Sequence, residues 1–343
     1  MIPRRFRAAT LAAALLAGGA ARAQSVADVY KGRAMEIIVG AGAGGGYDVN
    51  ARLVARHLGA FTPGAPSVVV ANMPGGGGIT ATNFLYNVAP KNGLVLGTFS
   101  NAMLTQPLFG ADSVKFETGG FGWLGSTSRE DGVCIASRAS GARSLDDLRR
   151  RRLVVGTTAP GTTTHLFPTL LNRVFGFDFK FVTGYADGGQ VVLALERGEI
   201  EALCQTWSSL KIAHPEWVPQ GRVQPLVSIG LGANPELAGL PSIMDLARDD
   251  EQRAMLEIVL APTLAGRPFA LPPGVPAERL DALRKAFVTM TQSAAFIEDA
   301  RRARVELSPA DGLEIDGLLR RISAAPPALV AKVRAIVEAA PPR

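Results

Sequence analysis

The sequence predicts an α/β protein with mostly parallel sheets flanked by helices on both faces. Three observations predict it. Short apolar runs alternate with helical patterns along most of the chain, the pattern of βαβ units. The first two apolar runs each end in a glycine-rich turn that opens a helix, Met35–Val39 before Gly40–Asp48 and Val68–Met73 before Pro74–Gly78. No internal repeat or low-complexity linker divides the chain, which suits two domains joined by strand crossovers.

The elements follow in order. Each glycine turn points bare backbone N–H groups, and the positive end of a helix dipole, at whatever sits in the gap. A third strand is predicted over Leu94–Phe99, ending at Ser100-Asn101, with further strands at Gly122–Gly125 and Val133–Ala136. Ser144-Leu145-Asp146-Asp147 reads as the capped start of a short helix ending at Arg150. Leu153–Gly156 is a buried strand that runs into Thr157–His165 and a helix over Leu166–Phe175. Phe179–Val182, a turn at Tyr185–Gly189, a helix over Gln190–Arg197 and strands at Ala202–Gln205 and Val223–Ile229 come next. A strand is expected near Ile258–Pro262, and helices at about 277–293, 294–303 and 311–323.

The first residues predict export. Arg4, Arg5 and Arg7, an apolar stretch over Ala8–Ala17 and the small-residue site Ala21-Arg22-Ala23 have the layout of a signal peptide, cleaved after Ala23 to leave a periplasmic protein. Residues 1–23 carry four of the arginines and no acid, so the formal charge of +6 falls to +2 after cleavage. No basic block with interleaved aromatics is present, which argues against a nucleic-acid partner; Arg149–Arg152 reads as a solvated helix end. The roughly 320 remaining residues of 343 are enough for two domains. Cys134 and Cys204 are the only cysteines, and a disulfide and two buried thiols both remain open. His57, His165 and His214 have no metal-ligand spacing, and no G-x-S-x-G elbow is present. Gly40–Gly45 fits G-x-G-x-x-G, but Asn72 stands where a dinucleotide site needs an acid for the ribose.

Five motifs in order resemble those of the solute-binding proteins of the tripartite tricarboxylate transporter family, the TctC or Bug type. They are Ala43–Asp48, Ala71–Gly78, Ala89-Pro90-Lys91-Asn92-Gly93, Gly156–Leu166 and Tyr185–Glu201, and they span nearly all of the chain after residue 23. The chain departs from the family at Ala43, at Tyr47, which places a ring at the mouth of the turn, at Ala71 and at Gln205-Thr206. The resemblance implies a type II periplasmic-binding-protein fold of two lobes, residues 24–130 with 246–343 and residues 131–245, with the ligand cleft between them. It implies a monomer without cofactor or catalysis, which delivers a small organic carboxylate to membrane transporter subunits. The expected ligand-binding residues are Gly44, Gly45, Gly46, Tyr47, Asp48, Asn72, Pro74, Gly75, Gly76, Gly77, Ser100 and Asn101 on one side. On the other they are Thr158, Gly161, Thr162, Thr163, Thr164, His165, Tyr185, Asp187, Gln205 and Thr206. Asp48 and the threonines have a second reading as helix caps, and His165 as a structural residue. A secreted α/β enzyme acting on a small anion, and a sensor subunit that presents ligand to a receptor, are the alternatives.

Overall fold

The computed structural model describes residues 25–110, 112–158, 162–232 and 234–338. The signal-peptide reading of residues 1–23 lies outside them. Two sheets organise the described chain. The first has six strands in the order β11-β4-β10-β3-β1-β2, where β1 is Ala34–Val39, β2 Ser67–Asn72, β3 Val95–Thr98, β4 Gly122–Ser126, β10 Pro268–Leu271 and β11 Ala310–Asp311. The second has five in the order β7-β6-β8-β5-β9, with β5 Gly132–Ser137, β6 Leu153–Gly156, β7 Phe179–Val182, β8 Ala202–Thr206 and β9 Val223–Ile229.

Both sheets are mixed rather than mostly parallel. β1 pairs in parallel with β2 and β3, and β6 with β7 and β8, each through a helical crossover. β5 and β10 run antiparallel to both neighbours. These two strands begin just after the chain passes from one sheet to the other, where no helix returns it to the same edge, so nothing imposes the parallel direction.

Each sheet carries its own core. Met35, Ile37 and Val39 of β1 pack with Leu53, Val54 and Leu58 of the helix Gly46–Phe61 and with Phe269, Phe287 and Phe296. Val155 of β6 packs with Leu166, Phe167, Leu170 and Leu171 of the helix Thr163–Phe175. That second cluster also takes in Leu256 and Val259 of the helix Asp250–Leu260, and Val333 and Val337 of the helix Pro327–Glu338. The strand expected near Ile258–Pro262 is therefore the end of a helix. Asp249 caps that helix by accepting from the Gln252 N–H at 2.7 Å, and an apolar run this short does not distinguish a buried helix end from a strand. The helix Leu145–Arg150 has the expected Ser144/Asp147 capping box.

Cys134 and Cys204 face each other directly across the antiparallel pair β5/β8 and form a disulfide, with Cα atoms 4.0 Å apart. Neighbouring strands bring opposed residues within bonding reach, and that pairing settles what the sequence left open.

The two segments that pass between the sheets run side by side. Glu130 N–H donates to Thr263 O at 2.7 Å, Gly266 N–H to Ser128 O at 2.9 Å and Thr127 N–H to Arg267 O at 3.3 Å. Arg267, which is 0% exposed, donates through Nε to Glu130 Oε1 at 3.0 Å, with the Glu130 side chain 3% exposed. Ser128 and Ser208 donate to the same carboxylate, at 2.8 and 2.5 Å.

Candidate functional site

A cleft of about 540 Å³ opens between the C-terminal ends of β1, β2 and β3 on one side and of β6 and β8 on the other. This is the edge where open α/β sheets hold ligands, and the size suits a small molecule. Four helices start on its wall. Gly45, Gly46 and Tyr47 open the helix Gly46–Phe61, and Gly77 and Gly78 open Ile79–Asn87. Thr162, Thr163 and Thr164 open Thr163–Phe175, and Asp187, Gly188 and Gly189 open Gly188–Glu196. The first N–H groups of a helix have no acceptor within it, so four sets of donors and four positive dipole ends converge on one space. Among the described residues, no lysine or arginine lines the cleft.

The local sequence builds this convergence. Gly75, Gly76, Gly77 and Gly78 all have positive φ, between 54° and 136°, a run that only glycine enters cheaply. The first turn is held by Asp48. Its carboxylate accepts from Gly44 N–H at 2.8 Å, Arg52 Nε at 2.9 Å and Asn72 Nδ2 at 2.9 Å. Burial alone would raise the Asp48 pKa, but the hydrogen bonds from Arg52, Gly44 and Asn72 outweigh it and hold the carboxyl below its ordinary value. Asn72 Nδ2 also donates to Ala41 O at 3.0 Å, tying β2 to the first turn.

Of the expected residues, Gly44, Gly45, Gly46, Tyr47, Pro74, Gly75, Gly77, Ser100, Thr158, Thr162, Thr163, Thr164, Asp187, Gln205 and Thr206 line the cleft. Gly161 lies outside the described residues. Six others do not line it. Asp48 and Asn72 sit behind the first turn as its braces, and the helix begins at Gly46, so Asp48 stands inside its first turn rather than capping a start near Val49. Gly76 is exposed and does not line the cleft, although its neighbours Gly75 and Gly77 do. Asn101 is buried, donating to Pro262 O at 3.1 Å. His165 packs edge-on against Phe181 with 5.5 Å between ring centroids, and burial lowers its pKa. Tyr185 packs onto the core around Val191 and Ile200.

Two lining groups behave differently from expectation. Tyr47 does not block the turn. Its hydroxyl accepts from Asn101 N–H at 2.9 Å and donates to Gly266 O at 3.2 Å, and the Arg267 guanidinium lies 4.2 Å from its ring centre. Burial raises the Tyr47 pKa despite the arginine. The hydroxyls of Thr158, Thr162 and Thr164 bond to one another at 2.6 to 3.1 Å, and Thr164 Oγ1 also accepts from Thr158 N–H at 3.2 Å. Three protons shared around three mutual bonds leave the backbone N–H groups of Thr163 and Thr164, rather than these hydroxyls, to face a ligand.

Sequence reasoning missed Gly188, Gly189, Gln190, Val192, Leu193, Ser209, Ile212, Ala213 and His214 as cleft residues. The first five fall inside the Tyr185–Glu201 motif, whereas Ser209, Ile212 and Ala213 lie on the helix Trp207–Ala213 after β8 and His214 just follows it, with no motif to mark them. Gln205 Nε2 is buried on the cleft wall without a hydrogen-bond partner. A second cavity of about 510 Å³ lies apart from the cleft beside the Arg129–Glu314 ion pair, and its wall mixes both signs of charge.

The fold is the one seen in solved periplasmic binding proteins. No family model and no curated protein matches the chain by sequence. Among solved structures it is similar to the periplasmic binding protein BugD, with a TM-score of 0.72, 17% identity and coverage of 90% of this chain and 98% of that one. It is also similar to MatC from Rhodopseudomonas palustris with bound malate, at TM-score 0.68, 16% identity and coverage of 90% and 100%. A further R. palustris protein, solved with adipate, matches at TM-score 0.68, 18% identity and coverage of 89% and 98%. No helix among the described residues is long and apolar enough to cross a membrane.

The brace on the first turn yields a pH prediction. Asp48 has a depressed folded pKa, so its contribution is present above the ordinary carboxylate range and is lost as pH falls through the folded value. Urea midpoints of the protein and of Asp48→Asn are expected to differ at pH 7 and to converge toward pH 3. A gap that stayed constant across that range would assign the effect to shape rather than charge.

Proposed function

We propose that the chain is an exported receptor that captures a small organic carboxylate in the cleft, closes its two lobes over it and delivers it to a membrane transporter. The observation that carries this reading is the convergence of four helix N-termini on a wall without lysine or arginine. Such a wall favours an anion through backbone N–H groups and asks little of its body. The unpartnered Gln205 amide supplies one further donor. Malate and adipate, held by two proteins of the same fold, belong to this ligand class.

In this reading the binding residues are Gly44–Tyr47, Gly75 and Gly77 on the first lobe and Thr163, Gln205 and Thr206 on the second. The lobes are 24–130 with 246–343 and 131–245, with the helices Asp250–Leu260 and Pro327–Glu338 reaching across to the second core. Binding without turnover is favoured over an enzyme because His165, the base nearest the threonine turn, is packed into the core.

A thermal-shift panel of mono-, di- and tricarboxylates tests the proposal. A true ligand at a hundredfold excess over Kd is expected to add about 2.7 kcal/mol to stability. If neutral or cationic solutes stabilise the protein and no carboxylate does, the receptor reading is wrong.

A further inference from the structure

We propose that Asp187 sets the ligand class: the cleft takes a monocarboxylate whose far end is apolar or carries a donor cation, and it rejects a second carboxylate. This inference rests on the carboxylate-receptor reading and narrows it.

Among the described residues, Asp187 is the only acidic side chain on the cleft wall. Its Oδ1 accepts from Gln190 N–H at 3.0 Å and caps the helix Gly188–Glu196. Its Oδ2 has no hydrogen-bond partner among the described residues and reaches across the cleft to the first glycine turn, so close that a Cβ on Gly42 would lie 2.7 Å from it. A carboxylate therefore projects between two of the walls that would otherwise attract anions. No cation on the wall offsets it. His214 is stacked on Trp217 with 4.0 Å between ring centroids, and its Nδ1 lies 3.4 Å from Glu216 and 3.8 Å from Glu196. Arg267, behind Tyr47, is already paired with Glu130.

The wall beside Asp187 is apolar. Val192 and Leu193 follow it on the same helix, and Ile212 and Ala213 end the neighbouring helix Trp207–Ala213. Leu193 is 46% exposed, a large apolar surface left facing a cleft that has N–H donors on its other walls. One end of the space thus suits a carboxylate. The other suits hydrocarbon, with a single acceptor for a cationic or neutral donor. A second carboxylate there would meet a like charge in a partly desolvated site, which is how binding sites reject close analogues.

Matched ligands test this by calorimetry: 6-aminohexanoate, hexanoate and adipate, and on a rigid body 4-(aminomethyl)benzoate, benzoate and terephthalate. Each set keeps its carbon skeleton and changes only the charge at the far end. The expected order is amine, then neutral, then second carboxylate, with about tenfold between neutral and dicarboxylate members. Asp187→Asn keeps a good helix cap and removes the charge. It is expected to bring the neutral and dicarboxylate members within about threefold of each other. The inference is overturned, with the receptor reading intact, if the dicarboxylates bind the unmodified protein as tightly as their neutral partners, or if Asp187→Asn leaves the ratios unchanged. If none of the six binds while another acid of the carboxylate panel does, this inference is overturned and the receptor reading stands.

Discussion

Arg267→Ala is expected to destabilise the protein by about 3–5 kcal/mol, among the largest losses from any single substitution in the chain. The guanidinium is fully buried and paired at 3.0 Å with a Glu130 carboxylate that is almost as inaccessible. Its Nη2 also donates to Ser208 and Ser209 Oγ at 2.9 Å each. Removing the arginine strands a buried carboxylate among hydroxyls that cannot neutralise it. The cost arises from that stranded charge rather than from the pair itself, because an intact buried pair roughly offsets its own desolvation. The double variant Arg267→Met with Glu130→Gln is therefore expected to recover much of the loss. Urea denaturation of the single and double variants measures both. A single-variant loss below about 1 kcal/mol would mean that Glu130 gains access to water, and the pair would then not bolt the crossing segments together. Arg267 also lies against Tyr47 and under Gly46, where a Cβ would come within 2.8 Å of its Nη2. Its loss is expected to loosen the first glycine turn and weaken ligand binding as well.

The second large effect is expected from the disulfide. Cys134 and Cys204 are 70 positions apart, and a closed loop of that length restricts the unfolded chain by about 4 kcal/mol in the chain-entropy account. Cys134→Ser with Cys204→Ser is expected to lose a few kcal/mol and to leave the β5/β8 pairing in place, because the strands are also held by their register over Gly132–Ala136. Equilibrium unfolding of the oxidised, reduced and double-serine forms checks this. Equal midpoints for the oxidised and reduced forms would show that the bond adds nothing to the sheet. A bond of this kind forms in an oxidising compartment, which agrees with the proposed export.

Most of the architecture was legible because it is written locally. The β1 and β2 runs are rich in Val and Ile and are followed within three residues by glycine, and glycine before a helical pattern states a tight turn with free N–H groups. Capping pairs such as Ser144 with Asp147 mark helix starts within four residues of sequence. β10 escaped notice. Pro268–Leu271 has only four residues, and its place between β3 and β4 depends on partners more than 140 positions away.

By itself the sequence determined the α/β class, the order of strands and helices as far as β9, and the two glycine turns that make an anion-facing edge. Each of these follows from backbone preferences and side-chain periodicity over a few residues. Only the tertiary structure decided which groups face the cleft. Asp48, Asn72 and Asp187 are all small polar residues next to glycine turns. Two of them became braces behind the first turn, Asp48 buried and Asn72 half-buried, and one a cleft carboxylate, according to what packs behind each turn. The pairing of Arg267 with Glu130, and of Cys134 with Cys204, was decided the same way. Contacts between distant segments depend on how whole sheets and crossing strands are placed, and no local pattern in the sequence encodes that placement.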